Sequence, residues 1–218
     1  MCFSATASFI TAGVTGTIGI LTLSRAKDLR QLPLAATPML FALHQGVEGL
    51  LWLNLPQSPE GPISTGLTYL FLFFAQTFWP VYVPITVALI ESNERRRKLM
   101  FACVALGLCV GALFFWSLVT RHHSAFIMHG HIAYVPEDMY SDSIALAYLA
   151  ATCLPFVMSS QRTVSALGAI IVAGSVIAYV LYWEAFVSVW CFFAAGASVV
   201  LLWHFEWSRK KNLRVAGT

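Results

Sequence analysis

From Gly61 to Ile90 the chain carries no Asp, Glu, Lys or Arg, and the same holds from Leu99 to Thr120. An uncharged run of that length leaves no polar face for water. It is long enough to cross a bilayer core, which takes about 20 apolar residues. The rest of the chain repeats the pattern, and the expected spans are Ala5–Ser24, Pro33–Asn54, Ile63–Ile90, Lys98–Thr120, Ser143–Met158, Thr163–Trp183 and Ala185–Glu206. Backbone groups in lipid must be paired within their own segment, so each span is expected to be a helix. Pro80 and Pro84 are expected to kink the third. The fold expected is therefore all-α, a seven-transmembrane-helix bundle forming a single domain over residues 1–218. Composition agrees, with 58% hydrophobic and 11% charged residues, where a soluble domain has about 25% charged.

Charge distribution predicts orientation. Arg25, Lys27 and Arg30 lie between spans one and two, Arg95, Arg96, Arg97 and Lys98 between three and four, and Arg162 between five and six. Arg209, Lys210, Lys211 and Arg214 follow span seven, and only Arg121 falls on the opposite side. The excess of basic residues on one side predicts an outside N-terminus and a cytoplasmic C-terminus in a bacterial inner membrane. No charged n-region precedes the first span, so it is expected to remain as a span rather than act as a cleaved signal. The basic clusters are short and scattered between apolar runs, which excludes a nucleic-acid footprint; the partner expected is the lipid bilayer. Cys103, Cys109, Cys153 and Cys191 fall in apolar spans and read as small packing residues. No internal repeat is apparent. The connection at 121–142 is expected to be a long external loop, functional or partly disordered.

The stretch FALHQGVEGLLW places a histidine and a glutamate four residues apart in the middle of span two. Helical spacing sets Thr37, Phe41, His44, Gln45, Glu48 and Trp52 on one face, with His44 near mid-membrane and Glu48 one turn nearer the outside. Ionisable groups facing lipid cost several kcal/mol, so this face is expected to point inward. Gln76 on span three, Tyr179 and Tyr182 on span six, and Glu184 at its outer end are expected to share that space. Three readings fit the pair His44 and Glu48: a hydrogen-bonded structural pair, a ligand or metal role in a pocket open to the outside, or a proton or ion pathway.

The outer loop carries RHHSAFIMHGHIAY. Imidazole is a common ligand for Zn and Cu, and thiolate favours the same ions. If Met1 is removed, Cys2 offers a thiol and an amine at the outer surface. A transition-metal site from Cys2, His122, His123, His129 and His131 is the sharp expectation, with Zn or Cu as cofactor. Solvated loop histidines and an interfacial cysteine are the plain alternative, and no HExxH or CxxC accompanies them.

MCFSATAS at the N-terminus, RQLPLAATPMLFALHQGVEGLLWL in span two and HGHIAY in the loop resemble an uncharacterised family of bacterial multipass membrane proteins. The resemblance covers most of the chain and implies a membrane protein without assigning an activity. A looser similarity is to seven-helix zinc hydrolases related to alkaline ceramidases and progestin-receptor-like proteins. Here, however, span seven offers only His204, with no HxxxH. The function expected is binding of a small ligand or transition-metal ion at an outward-facing polar pocket, in a sensor, accessory or assembly role. A membrane-embedded metal-dependent hydrolase or oxidoreductase and a transporter are the alternatives.

Overall fold

A computed structural model describes residues 4–135, 141–181 and 195–216. The described residues form seven helices and one β-hairpin: α1 Ala5–Arg25, α2 Leu32–Asn54, α3 Pro62–Ile90, α4 Glu94–Thr120, β1 Ser124–Met128, β2 His131–Val135, α5 Asp142–Val157, α6 Arg162–Leu181 and α7 Ser198–Ala216. Three of them, α1, α3 and α4, are long and apolar enough to cross a membrane. Their exposed residues are large and apolar: Ile10, Val14 and Ile20 on α1, and Leu108, Leu113, Phe115, Trp116 and Val119 on α4. Water-soluble monomers rarely show apolar area on that scale, and lipid is the solvent that tolerates it.

Local chemistry sets the helix ends. The Ser4 hydroxyl accepts from Ala7 N–H at the start of α1, and the Asn93 side chain accepts from Arg96 N–H at the start of α4. Helices α1 and α2 run antiparallel and close. Gly19 packs on the Met39 backbone, Gly16 faces Ala42, and Gly49 takes the Phe9 ring. The Thr22 hydroxyl crosses the seam to donate to Ala35 O at 2.6 Å. Small residues at a helix–helix seam permit this close approach of the two backbones.

The irregularity in α3 has a chemical cause. Residues Phe73–Phe78 widen into a π-helix, in which Trp79 N–H donates back to Phe74 O, five residues away. In regular α geometry Gln76 O would look to residue 80, a proline with no N–H. The wider turn moves the missing donor to Ala75 O, and the Tyr148 hydroxyl on α5 supplies it at 2.6 Å. On the α4 side the Pro80 and Thr77 carbonyls meet Gly107 and Gly111, where a Cβ would fall 1.9 and 2.9 Å away. Pro80 therefore acts through a widened turn that docks on two glycines.

One finding departs from an all-helical reading. The connection after α4 folds as an antiparallel hairpin with Met128 opposite His131 and a two-residue turn, His129 at φ 50° and Gly130 at φ 76°. Two positive-φ residues suit the right-handed twist of a hairpin. Its inward residues Ala125, Ile132 and Tyr134 pack with Leu51, Phe71, Leu72 and Leu118, so the hairpin seats on one end of the bundle. Cys103 and Cys153 are buried, whereas Cys109 is exposed on α4, outside the core where packing had been expected. Helix α7 continues past Glu206, the expected end of the seventh span, to Ala216, and residues 185–194 of that span lie outside the described residues.

Candidate functional site

The core divides into two apolar clusters along α2. The first holds Leu34, Ala35, Phe41, Trp79, Val83 and Phe156, and the second Val47, Leu51, Phe71, Leu72 and Tyr134. Between them lies a polar layer of His44, Gln45 and Glu48, each 0% exposed. Gln76, from the π-segment of α3, is also buried. α2 supplies most of this layer because 100° per residue keeps positions 41, 44, 45, 48 and 52 within one inward arc.

His44 is tied to α3. Its Nε2 lies 3.2 Å from Phe71 O, a carbonyl that can only accept, so Nε2 donates. Nδ1 then accepts the Trp79 indole N–H at 3.4 Å. The ring packs on Phe71 at 4.3 Å between centroids. Both ring nitrogens are thus engaged within the fold. Glu48 accepts from Gln45, whose Nε2 donates to Glu48 Oε2 at 3.1 Å. The amide orientation follows, because a carboxylate accepts and cannot face another oxygen.

Three buried polar atoms in this half have no hydrogen-bond partner among the described residues: Gln45 Oε1, Trp52 Nε1 and Ser8 Oγ. The register of α1 on α2, with Phe9 on Gly49 and Gly16 by Ala42, places Ser8 level with the turn from Glu48 to Trp52. Gln45, Glu48 and Trp52 at i, i+3 and i+7 share a face. Ser8 is 1% exposed. A buried polar group without a partner costs about 1–3 kcal/mol, so a group that supplied the missing bonds along this face would stabilise it.

The loop histidines are placed apart. His122 is exposed before β1. His123 is buried, its Nε2 lying 3.1 Å from Ser117 O while its backbone N–H donates to the Tyr69 hydroxyl at 3.2 Å. His129 stands in the turn and His131 opens β2. A five-residue strand at ~3.3 Å per residue separates base from tip, on the order of 15 Å, too far for one ion. Among the described residues no group of three or more His, Cys, Asp or Glu converges on a metal-sized position. Cys2, Tyr182 and Glu184 lie outside the described residues, and Tyr179 lies on α6 with its side chain outside them.

Ser8 and Gln45 acquire their place in the site only from the structure. Gln45 already stood on the inward face by spacing, but nothing in sequence singled out its free oxygen. Ser8 needed the α1–α2 register. Below the polar layer lies a small cavity of about 30 Å³ between Phe41, Trp79, Val83, Phe156 and Leu167. Its Thr37 and Thr152 hydroxyls donate to their own helices, so it is apolar.

These features define a helical protein with helices fit to cross a membrane and a polar layer buried between two apolar cores. The chain belongs to DUF6629, a family of unknown function, which matches residues 1–216. No curated protein and no solved structure matches it.

Proposed function

We propose that this is a seven-span inner-membrane protein, N-terminus outside, that binds a small ligand or metal ion in a polar pocket open to the outer face. The observation that carries the reading is the set of buried, unpartnered atoms Ser8 Oγ, Gln45 Oε1 and Trp52 Nε1 beside the buried carboxylate of Glu48. Ionisable groups at membrane depth are expensive and are kept where they face partners or a cavity.

The proposed orientation draws support from how the basic ends associate. Arg25 at the end of α1 pairs with Glu206 on α7, and Arg209 reaches the same carboxylate. Arg96 donates to Met158 O at 2.9 Å at the α5 end. The hairpin and Trp52 sit toward the other end, where the pocket would open. On this orientation the loop histidines His122, His123, His129 and His131 belong to the outer side, and Zn or Cu would enter there rather than at the polar layer.

Surface labelling tests the proposal. Ser124→Cys and Trp52→Cys should each react with a membrane-impermeant maleimide on intact cells, above the background of the unsubstituted chain. Reaction of Ser124→Cys only after permeabilisation overturns the orientation, and an unreactive Trp52→Cys beside a reactive Ser124→Cys overturns the open pocket.

A further inference from the structure

Two ties fix the level at which α7 leaves the bundle. Glu206 pairs with Arg25, the last residue of α1, a helix fit to cross a membrane. His204 Nδ1 shares a hydrogen bond with the Thr163 hydroxyl, one residue into α6. Beyond that level α7 runs on to Ala216, ten residues and about 15 Å at 1.5 Å per residue. The chain after Glu206 carries Arg209, Lys210, Lys211 and Arg214 and no acidic residue. Arg209 is already engaged, 3.4 Å from Glu206.

The chemistry is ordered along one side of the helix. Helical spacing sets positions 199, 203, 207, 210 and 214 within an arc of about 80°, opposite positions 198, 201 and 205. Ser198, Leu201 and Phe205 are buried, whereas Val199, Trp203 and Trp207 are exposed. The two indoles stand together, 6.0 Å apart between centroids. Positions 210 and 214 are Lys and Arg, and Lys211 stands beside the arc. Valine, two indoles, lysine and arginine follow the order of surroundings that a helix meets on leaving a bilayer: hydrocarbon, interface, charged headgroups. The headgroup layer is about 5–8 Å deep on each side. Position 210 lies about 4.5 Å beyond Trp207 and position 214 about 10 Å beyond it, so both are within reach of that layer for a long basic side chain. We propose that this stripe of α7 binds the phosphate headgroups of anionic lipids in the adjacent leaflet, with Trp203 and Trp207 setting the depth and Lys210, Lys211 and Arg214 meeting the charge. Charge complementarity selects an anionic partner, and exposed indoles continuous with Val199 select a lipid surface. The inference involves neither the polar layer nor the side of the membrane that this end faces.

The test uses the full chain in a neutral detergent, titrated with short-chain phosphatidylglycerol or phosphatidylcholine while melting temperature is read. A saturable rise with phosphatidylglycerol beyond that with phosphatidylcholine is expected, because a ligand bound only to the folded state stabilises it by mass action. A basic residue near an anionic surface is worth about fivefold in binding. Arg214→Gln should therefore raise the half-saturating concentration by about that factor, and Trp207→Gln should raise it too. The triple variant Lys210→Gln, Lys211→Gln, Arg214→Gln should abolish the excess rise. Lys27→Gln with Arg30→Gln, on the α1–α2 turn, should leave the titration unchanged. No excess with phosphatidylglycerol overturns the proposal, as does a full response in the triple variant. Should that variant fail to fold, Arg214→Gln decides, and an unchanged half-saturation there is the refuting result. An equal loss in the Lys27 and Arg30 variant assigns the effect to net charge and overturns the stripe. The same rise with sodium phosphate assigns it to a free anion, and with polyglutamate to an acidic protein; either overturns the lipid.

Discussion

Replacing His44 by Ala should be among the most damaging single changes in the polar layer. The ring is fully buried, donates to Phe71 O at 3.2 Å and accepts from Trp79 Nε1 at 3.4 Å. Stranding a buried acceptor costs about 1–3 kcal/mol in water-soluble proteins, but polar contacts between membrane helices average about 0.6. Truncating a fully buried ring adds roughly 2 kcal/mol, toward the low end of large-to-small changes. The sum is about 3 kcal/mol. His44→Phe keeps most of the volume and removes both hydrogen bonds, so it should cost about 1 kcal/mol and isolate the polar part. Leu146→Ala, on an exposed side chain of α5, is the control and should change stability by less than about 0.5 kcal/mol. Reversible unfolding in mixed micelles, read by tryptophan fluorescence, supplies the three values. If His44→Ala unfolds no more easily than Leu146→Ala, the tie from α2 to α3 through Phe71 O contributes nothing and the reasoning fails.

Gly107→Ala should strongly lower the yield of folded protein, because its Cβ would fall 1.9 Å from Pro80 O and α3 would have to leave α4; Gly66→Ala, with nothing within 4 Å, should instead raise stability by about 0.5–1 kcal/mol in a melting assay. Burial pushes the Glu91 carboxyl up, but hydrogen bonds from the Ser160 hydroxyl, Asn93 N–H, Ser160 N–H and Ser159 hydroxyl together hold it below its usual value. Its contribution to stability is therefore full above the unfolded carboxyl's pKa, about 4.3, and is lost as pH falls through the lower folded value. Melting from pH 7 to pH 3 should consequently show a smaller acid-induced fall in Glu91→Gln than in the unsubstituted chain. Gly130→Val should cost at least about 1–2 kcal/mol of hairpin stability through its φ of 76°, read as faster amide exchange in β1 and β2 with exchange in α2 unchanged.

The hairpin marks where sequence reading stopped short. FIM and HIAY flank His129-Gly130, and a two-residue turn ending in Gly between apolar runs is a recognised hairpin signal. The same residues carry two signals, imidazoles suited to metal chemistry and a backbone suited to a positive-φ turn, and the structure uses the second. Cys109 shows a different limit. Its place in an apolar helix was clear, but which way it faced was not, because α4 is apolar on nearly every side and carries no periodic contrast.

The sequence by itself determined the helical class, the positions of most helices, the asymmetry of basic residues and the inward face of α2. Each of these is a one-dimensional property: apolar run length, charge position and the 100° step of a helix. What the inward residues do follows from packing. His44 bonds a carbonyl 27 residues away, in a helix whose π-segment arises from Pro80 and is completed by Tyr148 from α5. Glu48 takes a bond from Gln45 on its own helix, and Ser8 comes level with it through the glycine-mediated register of α1 on α2. The physical reason is that a hydrogen-bond partner is chosen by packing distance and not by sequence separation, so the identity of the polar residues was readable while their pairing was not.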